Sequence, residues 1–138
     1  MSLFNIFNVS GSAMSAESVR LNTTSSNLAN ANSVSSSANE TYKARHPIFA
    51  AALDSASYQR EDSVPVQVKG IVESEKPLRA EYNPDHPLAN AEGFIYKPNV
   101  NVMEEMANMI SASRSYQSNV QVADASKQML MSTLQMGK

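Results

Sequence analysis

The chain has 138 residues, a formal net charge of −2 and 17% charged residues, with Ser, Asn and Ala abundant and no cysteine. That length allows one domain, or one domain with a modest insertion, and excludes two large cores. No run of Lys or Arg offers a footprint for nucleic acid or an anionic membrane, and the lack of Cys removes disulfide frames and thiolate metal sites. A polar but uncharged surface of this kind suits packing against neighbours.

Met1 to Val9 is apolar and aromatic, yet no basic residue precedes Arg20 and no apolar run of secretory length follows, so a cleaved signal peptide is not expected. Nothing approaches the roughly 20 apolar residues needed to cross a bilayer. The expectation is a soluble chain, cytoplasmic by default or exported by a route that needs no cleaved signal.

Phe7, Met14, Leu21 and Leu28 fall seven apart, a spacing that keeps one apolar seam facing a partner helix. It predicts an amphipathic helix from about Ser10 to Asn32 within an N-terminal unit 1–32. Gly11, Ser18 and Ser25 lie beside the seam as small residues that let another helix come close. Asn27, Asn30, Asn32 and Ser33 tolerate a left-handed helix cap, so the helix should end there. Residues 33–41 have no apolar periodicity and read as a mobile, solvated linker.

Between 42 and 98 the period shifts towards two and predicts a small β-rich insert. Tyr42, Ala44, His46 and Ile48 alternate with Lys43 and Arg45; Val64, Val66 and Val68 alternate with Pro65 and Gln67; Leu78, Ala80 and Tyr82 alternate with Arg79 and Glu81. Pro65 removes a ladder donor and places its strand at an edge, and Gly70 before Ile71 and Val72 marks a bulge or bend. Asp54 to Ser63 reads as a loop, Asn83 to Pro87 as a turn, and Gly93 to Lys97 as a last strand stopped by Pro98.

Asn101 then stands three residues before Glu104, the spacing of a reciprocal helix cap. A helix from Val102 to about Met136, in a C-terminal unit 99–138, carries Val102, Met106, Met109, Ser113, Tyr116, Val120, Ala123, Lys127, Leu130 and Leu134 at alternating steps of four and three, flanked by Ile110 and Arg114. Glu104 and Glu105 complement its positive end, and Lys127 and Lys138 lie towards its negative end. At 1.5 Å per residue this helix is roughly 50 Å long against roughly 35 Å for the first. One molecule therefore cannot cover its own seam, and the fold class is α+β and elongated, with an assembly surface rather than a pocket.

Other clusters have blander roles. Met103, Met106, Met109, Met129, Met131 and Met136 come without Cys or His, which favours packing over a soft metal site. His46 and His86 each precede a Pro and have no metal or general-base partner nearby, so strand and turn roles are expected. Glu104 and Glu105 are adjacent and do not share a helix face. With no phosphate loop, nucleophile elbow or zinc signature, neither catalysis nor a metal or other cofactor is expected. Arg114 and Tyr116, with Gln117 and Asn119, form a polar and aromatic band read as an intermolecular lock.

Ser25-Ser-Asn-Leu-Ala-Asn-Ala-Asn-Ser33, at the end of a helix beginning near Gly11-Ser-Ala-Met14, resembles the signature of bacterial flagellar axial proteins of the rod and hook; Ser26, Asn27, Leu28, Ala29 and Asn30 carry it. Tyr82-Asn-Pro-Asp-His-Pro-Leu-Ala-Asn90, Gly93, Lys97-Pro-Asn-Val-Asn101, Glu105-Met106 and Ser113-Arg-Ser-Tyr-Gln-Ser-Asn119 are similar, in order and spacing, to the proximal-rod members of that family. The resemblance implies a structural rod subunit, exported through the flagellar type III apparatus and assembled in the periplasm. It implies that the terminal helices pair as an antiparallel coiled coil and line a tube that transmits torque, with termini disordered until incorporation. The implied partners are further copies, proximal and distal rod subunits, the rod/MS-ring junction protein and the export apparatus, with no nucleic acid or small-molecule substrate. Two other functions compete: a helical secretion chaperone or adaptor, and a small periplasmic enzyme using Asp85 and His86.

Overall fold

The computed structural model describes residues 3–52 and 64–137. Two helices flank two small antiparallel sheets: α1 (Leu3–Asn30), β1 (Arg45–Ala51), β2 (Val66–Glu73), β3 (Arg79–Tyr82), β4 (Phe94–Lys97) and α2 (Val102–Met136). The expected α+β class is observed. The expected loop at 54–63 lies outside the described residues.

Helix α1 starts at Leu3, seven residues before the expected Ser10, because nothing from Leu3 to Ser10 breaks a helix. Its end differs from the expectation too. Among the described residues Gly93 alone has a positive φ, so no Asn forms a left-handed cap. Instead Ala31 N–H donates to Leu28 O and Ser33 N–H to Asn30 O, while the Asn30 amide donates to Ser26 O and the Ser33 hydroxyl to Asn30 O. Short polar side chains satisfy the last carbonyls without reversing the backbone.

Segment 33–41, expected as a linker, carries defined hydrogen bonds, with Ser36, Ala38, Asn39 and Glu40 exposed. Ser35 and Tyr96 exchange two backbone hydrogen bonds of 3.0 and 2.9 Å, and the buried Thr41 donates its hydroxyl to Ser37 O. Its Ser and Thr residues find local and tertiary partners that apolar periodicity cannot reveal.

Strands β1 and β2 pair antiparallel from Arg45↔Glu73 to Ala51↔Val66. Ile48 faces Gly70 and Phe49 faces Val68, so Lys69 is the extra residue of a bulge beside the flagged glycine. Pro65 sits just before β2, where its carbonyl accepts from Ala52 N–H. Strand β1 begins three residues later than its alternation predicts, because Ala44 N–H is taken by the Asn99 side chain. A two-stranded sheet is marginal alone. This one lies along α1, tied at one end by Asn27 to Arg45 and at the other by Ser12 Oγ, which accepts from Val66 N–H.

Strands β3 and β4 pair from Arg79↔Lys97 to Tyr82↔Phe94, with the Tyr82 and Phe94 rings edge to face at 5.3 Å. Gly93 turns between them at φ 81°, where a Cβ would come within 2.9 Å of Tyr82 Cε2. His86 has a turn role: its Nδ1 accepts from Leu88 N–H at 3.1 Å. Asn99 then joins the sheets to the approach of α2, accepting from Ala44 N–H at 2.8 Å and donating to Lys76 O at 2.7 Å.

Asn101 caps α2 by accepting from Met103 N–H. Glu104 turns to Lys76, 3.6 Å away, rather than back to the cap. The last described turn of α2 holds no basic residue, so Lys127 does not serve the helix end. With 28 and 35 residues, the helices measure about 42 and 52 Å. The length mismatch is smaller than expected, and its sign is the same.

Candidate assembly surface

Asn27 is the best-connected side chain in the molecule and is fully buried. Its amide donates to Arg45 O at 2.8 Å and to Glu105 Oε2 at 3.0 Å. Its carbonyl accepts from Arg45 N–H and the Tyr42 hydroxyl, both at 2.9 Å. An amide can make no more than two donations and two acceptances, so Asn27 is saturated and acts as an extra peptide unit paired with Arg45. Ser26 Oγ lies 3.2 Å from the same hydroxyl. The last turn of α1 is thereby welded to β1 and to the first turn of α2.

Asn27 meets Glu105, and one turn further along Thr24 and Asn108 line a cleft of about 150 Å³ with Arg20, His46 and Phe49. The end of α1 lies beside the start of α2. α1 and α2 share the most extensive contact between any two elements.

The fully buried residues of the two helices are small or polar. On α1 the buried positions are Ser10, Ala16, Thr23, Thr24 and Asn27; on α2 they are Glu105, Ala112 and Ser126. Of the expected seam, Phe7, Met14, Leu21 and Leu28 are half-buried, as are Met109, Val120 and Leu130. Val102, Met106, Ile110, Arg114, Tyr116 and Leu134 are exposed. On α2 the buried row 105, 112, 126 flanks the predicted seam: it lies about 60° around the helix from the predicted positions 102, 109 and 123 and about 100° from 106, 113, 120, 127 and 134. Gly11, Ser18 and Ser25 face outwards and do not receive α2. The fully buried positions of the two helices thus hold small or polar side chains, while their larger apolar side chains stay half-buried or exposed.

Burial is correspondingly inverted. The buried apolar residues are Ala16, Ala44, Ile95, Val100 and Ala112, whereas Met103 is 75% exposed, Met136 80% and Leu134 61%. Ile48, Phe49, Ile71 and Val72 on the β1–β2 hairpin are exposed as well.

Little here supports chemistry. Among the described residues no three His, Asp or Glu side chains gather to hold a metal, and no described helix is long and apolar enough to cross a membrane. The buried positions that sequence patterning missed include Ala16 and Thr23 on α1 and Glu105, Ala112 and Ser126 on α2, spaced within each helix by multiples of seven. A template that seeks apolar residues passes over them.

Comparison with known proteins accounts for a surface of this kind. Residues 7–35 match the family described as flagella basal body rod protein, and residues 91–136 match the flagellar basal body rod FlgEFG protein C-terminal family. Over the whole length of both chains, the sequence is 44% identical to flagellar basal-body rod protein FlgC of Salmonella typhimurium and 43% identical to that of Yersinia enterocolitica. It is 35% identical to FlgC of Bacillus subtilis, again across both full chains. Nothing in these relatives favours a secretion chaperone. The chain belongs to the FlgC family of flagellar basal-body rod proteins.

Proposed function

We propose that this structural rod subunit works by lending the outer faces of its helices to neighbours in a tube wall. The observation that carries the proposal is the set of large apolar side chains that α2 leaves exposed, Met103, Met106, Ile110, Met129, Leu134 and Met136. Helices α1 and α2, within 1–32 and 99–138, pair as an antiparallel coiled coil in an elongated assembly domain, and 42–98 forms a β-rich insert. Contacts that bind different surfaces of successive subunits need not close, so they propagate along an axis. Phe7, Met14, Leu21, Leu28, Met109, Val120 and Leu130 are half-open and complete their burial in that wall.

The partners are other copies, the neighbouring rod proteins and the rod/MS-ring junction protein, reached in the periplasm after export through the flagellar apparatus without a cleaved signal. No substrate is turned over: many buried helical contacts carry torque from motor to hook around the export channel. Deleting the coding sequence and supplying a tagged copy tests this. Loss of hooks and motility, with recovery of both when the copy enters basal bodies, is the expected result. Intact filaments in the deletion strain would refute it.

A further inference from the structure

Methionine is spread unevenly over the fold. Of the eight methionines, Met103, Met106, Met129, Met131 and Met136 lie on α2 and are between 48% and 80% exposed. Met14 and Met109 are half-buried, and the buried apolar residues, all Ala, Ile or Val, include none. A flexible thioether suits an irregular contact between partners. It is also an apolar side chain that a mild two-electron oxidant converts into a polar one. With no cysteine in the chain, no thiol of the same molecule competes for that oxidant. Met103 and Met106 stand near the start of α2, and Met129, Met131 and Met136 near its end, so oxidation places polar groups at both ends of its exposed surface.

We propose that these five thioethers form a redox-sensitive modification site that decides whether a free subunit can join the rod. The oxidant is a peroxide. A lone pair on sulfur attacks one peroxide oxygen, the S–O bond forms as the O–O bond breaks, and the departing hydroxide takes the proton of the transferred oxygen and leaves as water. Sulfur loses two electrons and the peroxide gains them. The sulfoxide is a strong hydrogen-bond acceptor, which a packed apolar interface leaves unpaired. Because the core holds no methionine, the modified chain keeps its fold and loses its fit to neighbours. A thiol-dependent sulfoxide reductase reverses the change, two thiols becoming a disulfide as the oxygen leaves in water. The site acts only where neighbours desolvate these side chains, and so depends on the tube-wall role proposed above.

Two full-length copies with different tags, induced together in a deletion strain, test this: the parent, and a variant carrying Met103→Leu, Met106→Leu, Met129→Leu, Met131→Leu and Met136→Leu. A pulse of hydrogen peroxide follows induction, catalase quenches it, and the basal bodies formed afterwards are isolated. Once mass spectrometry shows sulfoxides on most of the free parent, the ratio of variant to parent in basal bodies should rise by about tenfold or more over the untreated ratio, the equilibrium equivalent of burying one unpaired polar group. An unchanged ratio would overturn the switch. For a variant that enters poorly even without peroxide, the parent alone decides: sulfoxides should be depleted in its incorporated fraction relative to the free pool, and equal content would overturn the switch. The purified parent should keep its circular dichroism and Tm after the same treatment, and a collapse would overturn the claim that the fold is spared. Peroxide added to isolated basal bodies separates the switch from the role beneath it. Methionines that oxidise there as fast as in the purified chain would overturn both; slow oxidation there with an unchanged incorporation ratio would overturn the switch alone.

Discussion

Replacing Asn27 by Ala removes four hydrogen bonds at once, two to the backbone of Arg45, one to Tyr42 and one to the buried Glu105. A neutral bond contributes on the order of 1 kcal/mol and a bond to a charged group about 1.5–3 kcal/mol. Stranding a buried carboxylate adds desolvation that water entering the small cavity only partly relieves. The expected loss is about 5–6 kcal/mol, a large share of the 5–15 kcal/mol that holds a typical domain together. For a chain of this size it corresponds to a fall in Tm of about 15–20 °C. Asn30→Ala is the control: its amide makes one bond, to Ser26 O within the same helix, and should cost about 1 kcal/mol. Thermal and urea unfolding of the full-length chain, followed by far-ultraviolet circular dichroism, measures both. Asn27→Ala within about 1 kcal/mol of the parent would refute the view that this amide joins α1, β1 and α2.

Further expectations concern the hairpins and the open faces. Gly93→Ala places a Cβ against Tyr82 at a positive φ and should destabilise the β3–β4 hairpin by about 1–2 kcal/mol, read from tyrosine fluorescence during unfolding; an unshifted transition would contradict the turn geometry. Met103→Ser with Leu134→Ser should leave unfolding of the free chain within about 0.5 kcal/mol, because both side chains are already exposed, yet reduce recovery of the subunit in basal bodies. Loss of stability without loss of assembly would reverse that assignment. Arg114 is exposed and forms no ion pair among the described residues, and Tyr116 on α2 is exposed as well. Arg114→Ala and Tyr116→Ala should each weaken polymerisation, and unchanged assembly of both would remove the proposed lock.

Much of the architecture is local and could be read from the chain. Asn101 before the first turn of α2, Pro98 ahead of it and Gly137 behind it bracket that helix, and alternation located the strands to within a few residues. What escaped is tertiary. Asn27 reaches Glu105 across 78 positions and Asn99 reaches Ala44 across 55, and neither Asn advertises its partner by type or spacing. The buried helix positions escaped for a related reason: Ala16, Thr23, Ala112 and Ser126 are small or polar, and hydrophobic patterning picks out larger side chains that the single chain leaves half-buried or exposed. Segment 33–41 read as solvated because hydroxyl side chains that bond locally look the same, in one dimension, as hydroxyl side chains that face water.

The most direct test of the account asks where the exposed side of α2 goes. In a chain without native cysteine, Met103→Cys and Leu134→Cys can be labelled with a maleimide in the free subunit and again in isolated basal bodies. Both sites are open in the single chain and should react readily there. In the assembled rod they should be protected while a control cysteine at Glu75, exposed in the loop after β2, keeps its reactivity. Equal labelling of Met103→Cys and Leu134→Cys in the free and assembled states would contradict the claim that neighbours cover the apolar faces of α2.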